Sequence, residues 1–124
     1  LQDLRDEMNL TYVFISHDLA VVEHLADNVA VMYLGRLVEY GDKANIFSNP
    51  QHPYSQALLD SVLTPDPNKG IPEIALGRGF PNPLDPPTGC SFHPRCSEIM
   101  DQCSVDDPSM HNLGDRKVEC HLYN

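Results

Sequence analysis

Basic residues are scarce in this chain of 124 residues, in which 8 lysines and arginines face 18 aspartates and glutamates and the formal net charge is −10. Nucleic-acid phosphates need clustered lysine and arginine, and anionic lipid attracts polybasic segments, so the charge argues against both kinds of partner. No run of about 18 apolar residues is present, so no segment is predicted to span a membrane. Apolar residues still make up 41% of the chain, which is enough for a folded core.

Proline is absent from the first 49 residues, and all 11 prolines lie at or after Pro50. Because proline removes an amide donor and fixes φ, it is rare inside regular elements. Residues 1–49 are therefore predicted to be mostly helix and strand, and residues 50–124 to contain much irregular backbone. We place a domain boundary between these two parts, with the proline-rich stretch 71–87 as the nearest equivalent of a linker.

Hydrophobic spacing predicts short elements that alternate between helix and strand. The predicted helices cover residues 1–9, 18–26, 42–47 and 54–63. The predicted strands cover residues 11–15, 29–34 and 37–40. The tight turn Gly35-Arg36 makes the last two strands antiparallel. The apolar run 11–15 suits a strand buried on both faces in a parallel sheet, which needs neighbours on either side. We therefore expect an α/β fold and a chain that is the end of a larger protein.

Ser16, His17 and Asp18 lie at the corner between a predicted strand and the helix that follows it. Ligands of open α/β sheets bind beyond the carboxyl ends of the strands, where a histidine can donate to phosphate or exchange protons near neutral pH. The three residues are consecutive, so they cannot converge as a hydrolase triad. An exposed histidine near a helix start is the simpler interpretation, and spacing alone leaves both open.

The four cysteines follow the spacing C-x5-C-x6-C-x16-C in a region rich in turn residues. They are Cys90, Cys96, Cys103 and Cys120. Four thiolates can hold a zinc ion or an iron–sulfur cluster, and four thiols can instead form two disulfides in three pairings or stay free. The spacing matches neither the common zinc ribbon nor the bacterial ferredoxin run. The possible substitute ligands are His93, His111 and His121.

Three segments in order resemble the ATPases of ATP-binding-cassette transporters. YVFISHDL at 12–19 is similar to their switch-histidine segment, and DNVAVMYLGRLVEYG at 27–41 is similar to the two strands that follow it. NPQHPY at 49–54, with Leu58-Leu59, is similar to the subfamily that imports dipeptides, oligopeptides or nickel. The resemblance covers essentially all 124 residues.

This resemblance implies that residues 1–49 complete a P-loop-type nucleotide-binding domain, in which His17 contacts the γ-phosphate of ATP bound with Mg²⁺. The sequence contains no G-x-x-x-x-G-K-[ST] phosphate loop, no signature motif of the family and no aspartate–glutamate strand before the switch. Magnesium and the phosphates therefore need residues outside this sequence. We expect an ATPase as the parent protein, and no ATP hydrolysis by the chain alone.

The resemblance also implies partners and a location. The partners are a second ATPase subunit, two membrane permease subunits and a substrate-binding protein. The chain would lie at the cytoplasmic face of the inner membrane, touching the membrane only through the permeases, with no nucleic acid involved.

Residues 50–124 resemble the C-terminal extension of the oligopeptide-importer ATPases, through GCSFHPRC at 89–96, Cys103 and VECHL at 118–122. In that subfamily the extension is associated with a [4Fe–4S] cluster, so the resemblance implies a cluster on the four cysteines, with zinc as the alternative ion. Ser97 stands where the subfamily often has proline. The rival hypotheses are a free-standing zinc-binding interaction module and a small disulfide-stabilised extracellular domain.

Overall fold

A computed structural model describes residues 1–62 and 81–124 of the chain. The helices are α1 Gln2–Met8, α2 Leu19–Leu25, α3 Lys43–Ser48 and α4 Pro53–Val62. The strands are β1 Asn28–Tyr33, β2 Arg36–Asp42, β3 Met110–Leu113 and β4 Arg116–Glu119. Short 3₁₀ turns cover His93–Arg95, Asp101–Ser104 and His121–Tyr123. In the described ranges no helix is long and apolar enough to cross a membrane.

The four strands form one antiparallel sheet in the order β1-β2-β4-β3. The β1–β2 hairpin turns at Leu34 and Gly35, whose φ angles are 46° and 78°. Two successive positive φ values are typical of the two-residue turn that matches strand twist, and glycine adopts one at no steric cost. The hairpin and its antiparallel pairing are as predicted, although Arg36 belongs to β2 rather than to the turn.

Aspartate side chains cap the N-termini of two helices. Asp18 accepts hydrogen bonds from the amides of Ala20 and Val21 at the start of α2, and Asp42 accepts one from Ala44 at the start of α3. These caps satisfy amides that have no partner inside the helix. The helices predicted over 18–26 and 42–47 are thus confirmed, with their ends moved by one residue.

Two apolar clusters pack against the sheet. One contains Ala26, Val29 and Ile46, and the other contains Tyr33, Val38 and Phe92. Phe92 meets Tyr33 edge-on, with ring centroids 5.2 Å apart. Because Phe92 comes from the cysteine-containing region, this second cluster holds that region against the β1–β2 hairpin.

The run 11–15 is not a strand, which corrects the sequence-based prediction. Val13 is 96% exposed and Ile15 is 99% exposed. A strand needs neighbouring backbone to receive its hydrogen bonds, and no strand of the described residues lies beside this run. The described sheet is therefore antiparallel, without the parallel strand that the apolar run predicted.

The region after residue 80 is more regular than its proline content predicts, because it contains β3 and β4. Strand β4 pairs with β2 through Glu39–Val118 and Tyr40–Lys117. Arg36 also forms ion pairs with Glu119 and, at 2.8 Å, with Asp107. The two sides of the boundary at residue 49 thus share one sheet. Most of the predicted linker, residues 71–80, lies outside the described residues.

Candidate functional site

All four cysteines line one pocket and none of them is in a disulfide. Cys90 and Cys96 flank the turn His93–Arg95, Cys103 lies inside the turn Asp101–Ser104, and Cys120 follows β4. The same pocket is lined by His52, His93, Glu98 and His121. The structure therefore brings together the cysteines that the spacing singled out, and adds His52 to them.

Gly89 lets two cysteine segments approach closely. Its φ is 68°, and a Cβ placed there would lie 2.5 Å from the Cys103 carbonyl oxygen. The amide of Cys90 donates to that same carbonyl at 2.9 Å. A side chain at position 89 would therefore separate Cys90 from Cys103.

Burial is the largest cause of the raised pKa values of three thiols in the pocket. It raises the pKa of Cys90 and Cys120, and it raises the pKa of Cys96 from 9.0 to about 11. Neighbouring thiols raise these pKa values further, and backbone hydrogen bonds to sulfur partly offset the effect. The three thiols are therefore protonated near neutral pH, and a metal that binds them has to displace protons.

The pocket does not form a site for a single metal ion as it stands. Across residues 1–62 and 81–124, no three His, Cys, Asp or Glu side chains are grouped closely enough to hold one ion. A tetrahedral zinc site needs all four ligands about 2.0–2.3 Å from one centre. An iron–sulfur cluster has one thiolate on each of several iron atoms, so its ligands surround a larger body.

The three histidines named as substitute ligands have different positions. His121 contacts the Asp106 carbonyl through Nε2 at 2.8 Å and the Asn124 amide through Nδ1 at 3.1 Å, so both ring nitrogens are engaged. His93 Nδ1 contacts the Cys90 carbonyl at 2.9 Å. His111 lies on β3 and is not among the residues that line the pocket.

His52 is the residue of this pocket that sequence reasoning missed, because NPQHPY at 49–54 carries only a family resemblance at the level of the sequence. His52 immediately precedes α4, which begins at Pro53. The ring is also buried at 1% exposure, and its Nδ1 accepts from the Tyr54 amide at 3.0 Å. Desolvation lowers the pKa of His52 to about 4, and the Glu119 backbone partly opposes this.

Glu39 fixes the backbone that carries His52. Its side chain is fully buried on β2, and its two carboxylate oxygens accept from the amides of Gln51, at 2.9 Å, and His52, at 3.0 Å. Arg116 Nη1 lies 3.9 Å from the same carboxylate. The signal in the sequence is a charged residue within the predicted strand 37–40.

His17 lies away from this pocket. It is exposed, next to the Asp18 cap of α2, in the segment where Ser16 Oγ accepts from the Asp18 amide at 3.0 Å. The corner between residue 16 and α2 is therefore ordered by local hydrogen bonds, and the imidazole is free to meet a ligand from solvent or from another protein segment.

We predict that Cys96 is slow to react with an alkylating reagent. At pH 8, a thiol with a pKa of about 11 has roughly one-hundredth of the thiolate of an ordinary thiol, and its greater nucleophilicity recovers only part of that loss. Alkylation of the metal-free folded chain by iodoacetamide, followed by peptide mass spectrometry, should show Cys96 reacting at least about tenfold more slowly than in urea. Equal rates in the two states would contradict this reading of the pocket.

Comparison with known proteins identifies the family. The family described as oligopeptide/dipeptide transporter, C-terminal region, matches residues 38–103. This chain belongs to that family. The match begins within β2 and includes Glu39, His52 and three of the pocket cysteines, so the family region includes most of the site described above.

Individual relatives align over nearly the whole chain. It is 49% identical over 118 residues to the dipeptide transport ATP-binding protein DppF of Haemophilus influenzae, which covers 95% of the chain and 36% of that protein. It is 48% identical over 120 residues to DppF of Escherichia coli K12, covering 97% and 36%. It is 47% identical over 121 residues to the di/tripeptide transport ATP-binding protein DppF of Pseudomonas aeruginosa, covering 96% and 37%. The chain thus spans little more than a third of the length of these relatives.

Proposed function

We propose that this chain is the C-terminal part of the ATP-hydrolysing subunit of a peptide importer. The observation that carries the proposal is the alignment of at least 95% of the chain with proteins named as dipeptide transport ATP-binding proteins, at 48–49% identity. In this proposal residues 1–49 complete the nucleotide-binding domain and residues 50–124 form the extension. The subunit would couple ATP hydrolysis to peptide uptake.

The nucleotide, the partner subunits and the location of the complete transporter follow from the same proposal. ATP and Mg²⁺ are held by motifs that this sequence does not contain, so the chain alone is inactive. The complete subunit works with a second ATPase subunit, two permeases and a substrate-binding protein, on the cytoplasmic face of the inner membrane. His17 contacts the γ-phosphate, and the apolar run 11–15, which is exposed here, packs against the rest of the nucleotide-binding domain.

The test is His17→Ala in a complete ATPase subunit that ends in this chain. A side chain that stabilises charge on the transferred phosphoryl group contributes about 100-fold to turnover, so kcat should fall by about that factor. ATP turnover of the reconstituted transporter measures it. The matched control is His24→Ala, which removes another exposed imidazole, from the last turn of α2, and should leave turnover unchanged.

The outcome separates the two interpretations of the corner. Unchanged turnover in the His17 variant would leave it an ordinary surface histidine. A preparation of the 124 residues alone that hydrolyses ATP with Mg²⁺ would contradict the proposal that the catalytic motifs lie elsewhere.

We further propose that Cys90, Cys96, Cys103 and Cys120 hold a [4Fe–4S] cluster in the cellular protein. Support comes from four free thiols on one pocket and from a buried, unpartnered histidine nitrogen beside them. When bound, the cluster would cross-link the turns around the pocket and provide a one-electron centre.

Metal analysis decides between the cluster and zinc. Anaerobically prepared protein should contain iron and acid-labile sulfide in equal amounts, about four of each per chain. Stoichiometric zinc without iron would contradict the cluster proposal and support a zinc ion on the four cysteines. A free-standing zinc module is not favoured as the function, because the ATP-binding relatives align across nearly all of the chain.

A further inference from the structure

His52 is almost completely buried, yet one of its ring nitrogens has no hydrogen-bond partner. The side chain is 1% exposed, and Nε2 is a buried polar atom without a partner. Buried polar groups are paired in the great majority of cases, so an orphan of this kind requires an explanation. Three such side-chain atoms occur in residues 1–62 and 81–124, and His52 is the residue among them that lines the cysteine pocket.

The hydrogen bond at the other nitrogen fixes the tautomer. Nδ1 accepts from the Tyr54 amide at 3.0 Å, so Nδ1 carries no proton. The proton of the neutral ring is then on Nε2, because a neutral imidazole has one donor and one acceptor. Nε2 is therefore a buried N–H donor that has no hydrogen-bond acceptor.

The ring is held in place from three directions. Glu39 accepts from the backbone amide of His52, the Tyr54 amide engages Nδ1, and the Phe92 ring lies 5.9 Å away between centroids. The Glu119 backbone lies near the ring, but it does not meet Nε2 in hydrogen-bond geometry. Cys120 follows Glu119 in the chain and lines the same pocket as His52.

The other two histidines of the pocket differ in this respect. His121 has both nitrogens engaged, and His93 has Nδ1 on the Cys90 carbonyl. Among the histidines of the pocket, His52 is therefore the one with a buried ring nitrogen, Nε2, that has no hydrogen-bond partner. Thiolate and sulfide sulfur are hydrogen-bond acceptors, whereas a protonated thiol is a weak one.

We propose that His52 is a positioning residue of the cysteine pocket, whose Nε2–H donates a hydrogen bond to a thiolate or sulfide sulfur when the pocket is loaded. The inference rests on the proposed cluster and adds a specific role to a residue outside its ligand set. Hydrogen bonds to sulfur are one of the terms that set the potential of an iron–sulfur centre. Since the reduced centre is more negative, the bond stabilises it and raises the reduction potential.

Two variants test the Nε2–H donor of His52 separately from its Nδ1, which accepts from the Tyr54 amide at the start of α4. His52→Asn keeps an oxygen that can accept from the Tyr54 amide, as asparagine does at helix starts, but its amide is too short to reach the Nε2 position. His52→Gln carries an N–H donor out to about the Nε2 position. The full chain is prepared anaerobically in each form, and the iron content is measured first.

Reduction potential and iron retention are then compared. We expect His52→Asn to lower the midpoint potential in a spectroscopic redox titration, and to lose iron to a chelator about tenfold faster or more, as other outer-shell variants do. His52→Gln should recover part of both effects. The far-ultraviolet circular dichroism of the metal-free Asn variant should match the unsubstituted chain, because its cap is retained.

The possible results have distinct meanings. Wild-type protein without iron and sulfide overturns the cluster proposal itself, whatever the variants do. Iron-loaded wild-type protein with an unchanged potential and unchanged iron loss in His52→Asn overturns the role of His52 and leaves the cluster standing. An equal effect of the Asn and Gln variants would also overturn it, because the donor would then not be what matters.

Discussion

Replacing Glu39 by glutamine is expected to destabilise the chain by about 3 kcal/mol, because a buried carboxylate at the centre of three contacts is lost. Glu39 is fully buried, and its two oxygens accept from the amides of Gln51 and His52. Glutamine has one acceptor oxygen, so its NH₂ group would face one of these amide donors. Arg116, whose side chain is 11% exposed, would also lose its nearest buried negative charge.

Chemical denaturation of the metal-free chain measures this effect as a change in the free energy of unfolding. The matched control is Glu23→Gln, which removes the same charge from an exposed position on α2. Exposed substitutions of this kind change stability by less than about 0.5 kcal/mol. A loss below about 1 kcal/mol in the Glu39 variant would mean that these three contacts do not hold the segment before α4 to the sheet.

The elements that local patterns determine were the ones predicted from the sequence. Asp18 and Asp42 are helix caps that act within three residues of themselves, and the β1–β2 hairpin is closed by a glycine turn between two apolar strands. These features need no information from the distant chain. Their boundaries are therefore correct to within one or two residues.

The errors concern elements whose state depends on distant partners. The run 11–15 has the composition of a buried strand, but no described neighbour receives its backbone hydrogen bonds, and Ile15 remains exposed. Strands β3 and β4 have little apolar pattern of their own. Strand β4 pairs with the distant β2, through contacts such as Glu39–Val118, and β3 pairs with β4. No local spacing reveals the pairing with β2.

The candidate site also contains residues that local sequence identifies and residues whose role depends on distant partners. The residue type singled out four cysteines, which line one pocket, and their role as cluster ligands stays a prediction: Cys90, Cys96, Cys103 and Cys120. His52 was missed because its role depends on burial and on one unpartnered nitrogen, neither of which is visible in the letters His-Pro-Tyr. The role of His17 depends on residues that this sequence does not contain, so it stays a prediction.

The second large effect is expected from His52 when the metal-free chain is acidified. Burial lowers the pKa of His52 from 6.5 to about 4, so the native state binds this proton less readily than the unfolded state does. The stability contributed by the neutral ring is present above pH 6.5 and is lost as the pH falls through about 4. The difference between the two pKa values corresponds to about 3 kcal/mol.

Carboxylates also titrate in this range, so the contribution of His52 is isolated by comparison with His52→Asn, which keeps the cap acceptor and has no proton to gain. Free energies of unfolding are measured at pH 7.5 and at pH 4 for both proteins, and the wild-type chain should lose about 2 to 3 kcal/mol more than the variant over this interval. His24→Asn, at an exposed position on α2, should follow the wild-type profile. If the wild-type and His52→Asn profiles were parallel instead, His52 would not be buried as a neutral ring, and the tautomer assigned to its Nε2–H would lose its basis.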